Sequence, residues 1–362
     1  MMNIQFSQLA PDANIKWGYA LSSIPELPET WEDVEDRINL DPHKPRRNDV
    51  LVAEITGVGQ HTRIDLRDWS KSRLMEGDLV GLAISPRYAT NNFQAVLPPS
   101  LAEAQFVCSG GVCGKVIGAP SGHAPPTRLR VLGYLTDGNG RRVNLRDLAP
   151  KPVVPIQEDT DIIAIVGSSM DSGKTTTAAS LVNGLRREGR RVGAAKITGT
   201  ASVGDPLFFR AAGANPVVDF TNAGYASTAN LSPDELWGIF EVLLSLLAKG
   251  QSDTFVLEIA DGVTQEDTSA LLDHFARTDL LSGLLYTCSD SLGVASGVEL
   301  LRRRQLPVLA ISGKVTSTPL SIREAQKETD VPVLAPNDLR DPLIAVRLQL
   351  RERIPNKRRV FI

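Results

Sequence analysis

The chain has 362 residues, 42% of them hydrophobic and 22% charged, with a formal net charge of −3. That length favours two domains over one, and the composition suits ordinary soluble cores. The slight acidity excludes a broad basic face for nucleic acid, no run approaches the ~20 apolar residues of a membrane helix, and the N-terminus lacks the basic-then-apolar pattern of a secretory signal. The chain therefore reads as cytoplasmic, with no nucleic-acid and no membrane partner. Cys108, Cys113 and Cys288 are an odd count at low density, which fits a reducing compartment. Cys108 and Cys113 are too far apart for a C-x-x-C pair and have no histidine close by, so they read as small core residues rather than zinc ligands.

Residues 1–45 read as an irregular segment broken by Pro25, Pro28, Pro42 and Pro45. One short helix is expected over residues 31–38, with Thr30 as its cap and Glu32 and Asp33 in its first turn. Residues 46–147 read as a small β-rich domain. Strands are expected at 50–56, 62–66, 79–84, 93–97, 106–107, 112–117 and 128–135, with glycine-containing turns between them. Short strands at this spacing predict a small antiparallel barrel or sandwich. His61, Arg63, Arg87 and Tyr88 lie in its polar clusters, either as an anion or substrate pocket or as barrel turns with a satisfied histidine. Gly110 and Gly111 would let the backbone approach a ligand there. Residues 148–161 hold three prolines and read as a linker.

From residue 162 to 362 the texture is α/β: short apolar strands alternate with helical stretches, the pattern of a mostly parallel sheet flanked by helices. Strands are expected at 162–166, 192–197, 255–259, 284–288 and 308–311, with a short last one at 333–334. Helices are expected at 174–188, 207–212, 233–247, 267–275, 295–304 and 320–328. Gly189 and Gly213 sit where helix C-terminal glycines belong. The arginine run at 302–304 and the basic tail from Arg351 to Arg359 read as solvated surface.

The strand at 162–166 runs straight into Gly167-Ser168-Ser169-Met170-Asp171-Ser172-Gly173-Lys174-Thr175-Thr176. A strand, a glycine-bounded loop and a helix make a phosphate cradle: loop N–H groups converge on a β-phosphate, and the helix adds its unpaired N–H groups and positive dipole end. Gly167, Ser169, Asp171, Ser172, Gly173, Lys174, Thr175 and Thr176 are the expected nucleotide-binding residues. Lys174 would sit on the β- and γ-phosphates and the Thr175 hydroxyl would complete Mg2+ coordination. The alternative is an ordinary strand–helix turn that contains Gly-Lys-Thr.

Further charged groups end the following strands. Lys196 closes the second, where it would neutralise charge on a departing phosphoryl group or be a plain surface lysine. Glu258 and Asp261 end the third, at the carboxyl edge where open parallel sheets bind ligands; either or both would hold Mg2+. Asp205 follows the second strand closely enough to reach metal or substrate. Asp219 reads as a local hydrogen-bonding residue. A guanine site would want an Asn/Thr-Lys-x-Asp segment, and Ser312-Gly313-Lys314-Val315-Thr316 lacks its aspartate, so ATP is favoured over GTP.

The usual loop has four residues between its glycines; here five separate Gly167 from Gly173. That spacing resembles the dethiobiotin synthetase-like branch of P-loop proteins. The resemblance covers about 200 residues, from near Asp161 to near Arg359. Lys196-Ile-Thr-Gly199 matches that branch's lysine segment, without its proline, and implies that Lys196 contacts the phosphate and the reacting group. Glu258 matches its acidic segment best. Asn337 and Asp338 fall where such enzymes bind adenine, or are turn residues after Pro336. The resemblance implies ATP and Mg2+ as cofactors, a small-molecule substrate activated by phosphoryl transfer in a kinase- or ligase-like reaction, and a homodimer. Lys174, Lys196 and Asp205 are the expected catalytic residues; Thr175, Glu258 and Asp261 are the expected metal ligands. Neither loop flank carries the extra lysine of the partition ATPases. Similar domains also occur fused to other N-terminal domains, one of them a D-glutamate N-acetyltransferase. Two alternatives therefore stay open: a nucleotide-dependent switch or chaperone-like NTPase, and an acyltransferase whose loop holds coenzyme A.

Overall fold

Strands Val50–Gly57 and Leu79–Ile84 show why the N-terminal half folds as it does. Leu51, Ala53 and Ile55 of one and Val80, Leu82 and Ile84 of the other join a single buried cluster with Phe106, Cys113 and Tyr134. That is the period-two alternation of a strand facing a core. The computed structural model of the chain describes residues 10–350, other than 42 and 158, and the backbone of 359 and 360. Pro42 and the side chains of the basic tail lie outside the described residues. The chain divides into two compact units, one of Met1–Ala149 with Thr200–Val203 and Thr221–Ser227, the other of Pro150–Gly199, Gly204–Phe220 and Thr228–Ile362.

In the first unit Leu79–Ile84 pairs antiparallel with Val50–Gly57, which pairs with Thr127–Leu135, then Gln105–Cys108, then Val112–Gly118. A parallel pairing of Ala83 and Ile84 with Val112 and Cys113 closes the five strands into a barrel, which leaves no open edge on that ring. Ile15–Trp17 adds to it in parallel, pairing with Leu79–Gly81, inside a segment whose prolines suggested irregular chain. The helix expected over 31–38 shrinks to a 3-10 turn at Glu35–Arg37. Thr30 Oγ1 donates to Asp33 Oδ2 instead of capping, and Ile38–Asn39 leaves to pair with Tyr134 and Leu135. A hairpin of Arg63–Asp65 with Lys71–Arg73 completes the unit.

The second unit is an all-parallel six-stranded sheet: β1 (Asp161–Gly167), β2 (Val192–Lys196), β3 (Val217–Asp219), β4 (Thr254–Glu258), β5 (Gly283–Thr287) and β6 (Val308–Ser312), in the order β3-β2-β4-β1-β5-β6. β1, β4 and β5 are buried along their whole length, as strands covered on both faces must be. Its helices are α1 (Lys174–Arg187), α2 (Gly204–Ala212), α3 (Pro233–Lys249), α4 (Glu266–Phe275), α5 (Ser291–Arg303), α6 (Pro319–Lys327), α7 (Pro336–Leu339) and α8 (Ile344–Arg347). Side-chain caps set the starts of several of them. Ser232 and Glu235 exchange side-chain and backbone bonds ahead of Pro233, and Asp290 accepts from Gly293 N at 2.8 Å, starting α5 earlier than its apolar pattern suggests. β3, three residues between Pro216 and Phe220, is too short to carry a strand pattern in the sequence, and the strand expected at 333–334 is one bridge, Ile311 to Val333. The proline-rich stretch after residue 149 is strapped to α3: Val153 N and Val154 N donate to Ser245 Oγ at 3.0 and 2.9 Å.

Gly81 gives the barrel a testable joint. A Cβ there would stand 1.9 Å from Trp17 Cε3, and the indole is pinned by its Nε1 donating to Pro28 O at 2.6 Å. Gly81→Ala is expected to cost roughly 1–3 kcal/mol, the range of core overpacking. Urea unfolding followed by tryptophan fluorescence would read this as an earlier transition; an unchanged midpoint would contradict the packing described.

Candidate functional site

The loop after β1 is held by its neighbours on both sides. Ser168 N donates to Thr287 O at the end of β5, and Val263 N donates to Gly167 O, both at 2.8 Å. Thr287 Oγ1 donates to Val166 O at 3.2 Å, so the 2.7 Å contact between Ser172 and Thr287 hydroxyls has Ser172 as its donor. Lys314 N donates to Ser172 O at 3.0 Å. This docking requires Gly313, which has φ +94 and whose Cβ would lie 2.3 Å from Ser172 O. Asp171 at φ 62 and Gly173 at φ 104 turn the loop through left-handed conformations. Gly173 then begins α1 with no side-chain cap, leaving the orphan N–H groups of the first turn to a ligand.

The charged groups meet just beyond that turn. In the sheet register β1 places Ile165 beside Glu258, and β2 places Lys196 beside Glu258, so β2 and β4 end together and β1 runs two residues further, to Gly167. Thr175 Oγ1 lies 3.2 Å from Glu258 Oε1 and 3.1 Å from Asp205 Oδ1. Asp205, in the first turn of α2, forms an ion pair through Oδ2 with Lys196 Nζ. Glu258 is 2% exposed, and its Oε2 is buried without a partner. Lys174 is also buried. Its Nζ donates to Ser169 O at 2.8 Å and to Asp261 O at 2.9 Å, and burial lowers its pKa from the usual lysine value against the opposing pull of Glu258 and Asp261.

The structure thus brings together Lys174, Thr175, Lys196, Asp205 and Glu258. Asp261 joins through its backbone carbonyl. Its residue is held at φ 65, and burial raises its carboxyl pKa above the usual value, with Lys174 and Lys196 pulling the other way. Glu258 and Asp205, rather than Asp261, hydrogen-bond the Thr175 hydroxyl. Ser169 and Asp171 are exposed on the loop, and Thr176 is exposed on α1. Asn337 is exposed on α7, away from this cluster: Arg340, just past α7, accepts from Arg187 in the last turn of α1, about 20 Å of helix from Lys174. Asp338 Oδ2 accepts from Ala335 N at 2.8 Å, a turn role. Thr287 and the Gly313–Lys314 corner escaped sequence reading, because a strand-final threonine and a glycine turn carry no signal of what they dock against.

The set fits a divalent cation in chemistry. Two carboxylates and a hydroxyl converge, and the orphaned Glu258 Oε2 is a buried anionic oxygen with unmet coordinating capacity. Among the described residues no group of three or more His, Cys, Asp or Glu side chains gathers as a metal cage. In the barrel, His61 and Arg87 stand together at 3.4 Å, both directed at Val107 O. Burial, then Arg87, pushes the His61 pKa down to about 4. Arg63 lies in the hairpin and Tyr88 is exposed. Gly110 serves chain packing, since its Cβ would meet Ala201 O at 1.9 Å. Arg302, Arg303 and Arg304 pair with Asp330, Glu299 and Asp273 on the surface. No described helix is long and apolar enough to cross a membrane.

No family model matches the chain, and no curated protein matches it. Among solved structures, a similar one is the crystal structure of the signal recognition particle receptor FtsY from Elizabethkingia anophelis, 16% identical over 53% of this chain and 67% of that one, with a TM-score of 0.35. A likeness that distant carries no argument about function.

The raised Asp261 carboxyl has a consequence for stability. Its ordinary value is 3.8 and burial penalises the charged form. The penalty is absent below about pH 3.8, where folded and unfolded carboxyls are both protonated, and full above the raised folded pKa. Asp261→Asn, which tolerates positive φ, is expected to melt higher than wild type near neutral pH. The gain should fade as pH falls toward 3.8. A pH-independent difference between their melting curves would contradict a buried, destabilised carboxylate.

Proposed function

We propose that the second unit binds ATP with Mg2+ and uses it to activate a small-molecule substrate by phosphoryl transfer, in a kinase- or ligase-like reaction. The observation that carries this reading is the Thr175 hydroxyl. It sits one residue after the loop lysine, within 3.2 Å of both the Glu258 and Asp205 carboxylates. A fortuitous Gly-Lys-Thr turn has no reason to bury a carboxylate against its threonine.

Thr175, Glu258 and Asp205 would hold the metal, which when bound supplies positive charge to the phosphate oxygens. The loop N–H groups and the uncapped start of α1 bind the phosphates. Lys174 leaves its two carbonyl acceptors to reach them. Lys196 neutralises charge on the departing phosphoryl group and orients it toward the second substrate. Positioning and electrostatics of this kind account for most of the rate in phosphoryl transfer, so no nucleophilic residue is needed. The five-residue loop spacing and Lys196 support a place beside the dethiobiotin synthetase-like branch, with a homodimer as its corollary. The missing aspartate after Lys314 favours ATP over GTP.

A thermal-shift panel with ATP, GTP, ADP and coenzyme A, each with and without Mg2+, tests this on wild type and Lys174→Ala. A ligand at 100 times its Kd stabilises by about 2.7 kcal/mol, a shift of a few degrees. The expected result is a Mg2+-dependent ATP shift that vanishes in Lys174→Ala. A shift with coenzyme A and none with any triphosphate would overturn the reading in favour of an acyltransferase.

A further inference from the structure

The Thr175 hydroxyl has one proton, yet Asp205 Oδ1 and Glu258 Oε1 both lie within hydrogen-bond range of it, at 3.1 and 3.2 Å. It can satisfy one carboxylate at a time. Two carboxylates on one hydroxyl repel, and in this structure Asp205 is balanced by Lys196. Lys174 spends its ammonium on two backbone carbonyls. The Lys196 and Asp205 side chains are only 14% and 24% exposed, so water screens their pair less than it would a surface ion pair. Lys196 therefore neutralises, through Oδ2, the same carboxylate whose Oδ1 faces Thr175, so it and a divalent cation at Thr175 would compete for one anion.

We propose that Lys196 is a tethered counter-cation that holds Asp205 while the site is empty, and that an arriving divalent cation exchanges with it. The inference rests on the nucleotide reading above and adds a regulatory consequence. A bare metal ion that takes Asp205 draws its charge away from Lys196 with no new anion to receive the ammonium. A metal–nucleotide complex brings phosphate oxygens that take the released lysine. The exchange thus penalises metal alone, favours the complex, and delivers Lys196 to the phosphates only when metal and nucleotide are both present. It is a coupling between two ligands, and linkage makes it reciprocal.

The probe is Mn2+, followed by electron paramagnetic resonance of the free ion, alone and with a non-hydrolysable ATP analogue. Wild type is compared with Lys196→Met, Lys196→Arg, Asp205→Asn and the Asp205→Asn/Lys196→Met double variant. Lys196→Met is expected to bind Mn2+ alone about tenfold more tightly than wild type, the equivalent of about 1.4 kcal/mol, and to lose the same factor of metal–nucleotide coupling. Lys196→Arg keeps the tether and should resemble wild type, which also shows that the position tolerates change. In the Asp205→Asn background, removing Lys196 should bring no gain. If wild type binds Mn2+ with the analogue but Lys196→Met binds Mn2+ alone no better, the exchange is overturned while the nucleotide reading stands. A gain that persists without Asp205 also overturns it, since a general field and not the pair would be responsible. If wild type fails to bind Mn2+ with the analogue at all, the nucleotide reading falls and the exchange with it.

Discussion

A buried carboxylate with one unpaired oxygen is the constraint on which the second unit turns. Glu258 ends β4 at 2% exposure, with Oε1 on Thr175 and Oε2 on nothing. Burying an ionised carboxylate is costly unless charge and hydrogen bonds compensate. The sheet arranges that compensation. Because β1, β2 and β4 run parallel, with β2 and β4 ending in register and β1 two residues further on, they deliver the loop with Lys174, then Lys196, then Glu258 to one edge. The compensation is incomplete, and the incompleteness is what makes a cation there chemically reasonable.

The loop's shape depends on a second set of contacts that contribute no charge. Ser172 is fixed by its hydroxyl to Thr287 and by its carbonyl to Lys314 N, while Ser168 N is tied to the Thr287 carbonyl. The Gly167 and Ser172 carbonyls are taken by Val263 N and Lys314 N, so the loop is fixed from outside as well as by Lys174 on the Ser169 carbonyl. Rigid placement of this kind gives a phosphate site its selectivity, since a wandering loop would lose the convergence of its donors.

Much of this was legible in the sequence, for reasons that can be stated. The strand, the glycine-bounded loop and the helix starting at Lys174 are local, and glycines together with apolar runs mark them. Lys196 and Glu258 stand out as charged residues ending apolar runs, and Asp205 as an acid soon after the second strand, but their meeting point leaves no local signal. Spacing alone does not say whether Glu258 or Asp261 turns toward Thr175; the left-handed backbone at Asp261 sends its carbonyl to Lys174. Asn337 rested on chain position and lies with the far end of α1. In the first unit the period-two pattern marked the main strands. The parallel pairings of Ile15–Trp17 and of Ala83 with Val112 are long-range and leave no local signal. The assignment of residues 200–203 and 221–227 to the first unit was equally invisible, because it interrupts a helix–strand stretch that reads as one domain.

On the function proposed above, Thr175 and Glu258 act on one ion at the phosphates. A double-mutant cycle on Mg2+·ATP affinity, with Thr175→Val, Glu258→Gln and the pair, measures this most directly by calorimetry. Residues sharing a ligand couple by about 0.5–3 kcal/mol, while independent ones add to within about 0.5 kcal/mol. The account predicts that the double variant loses clearly less affinity than the sum of the single losses. Strict additivity, or undiminished Mg2+·ATP binding in Glu258→Gln, would contradict it.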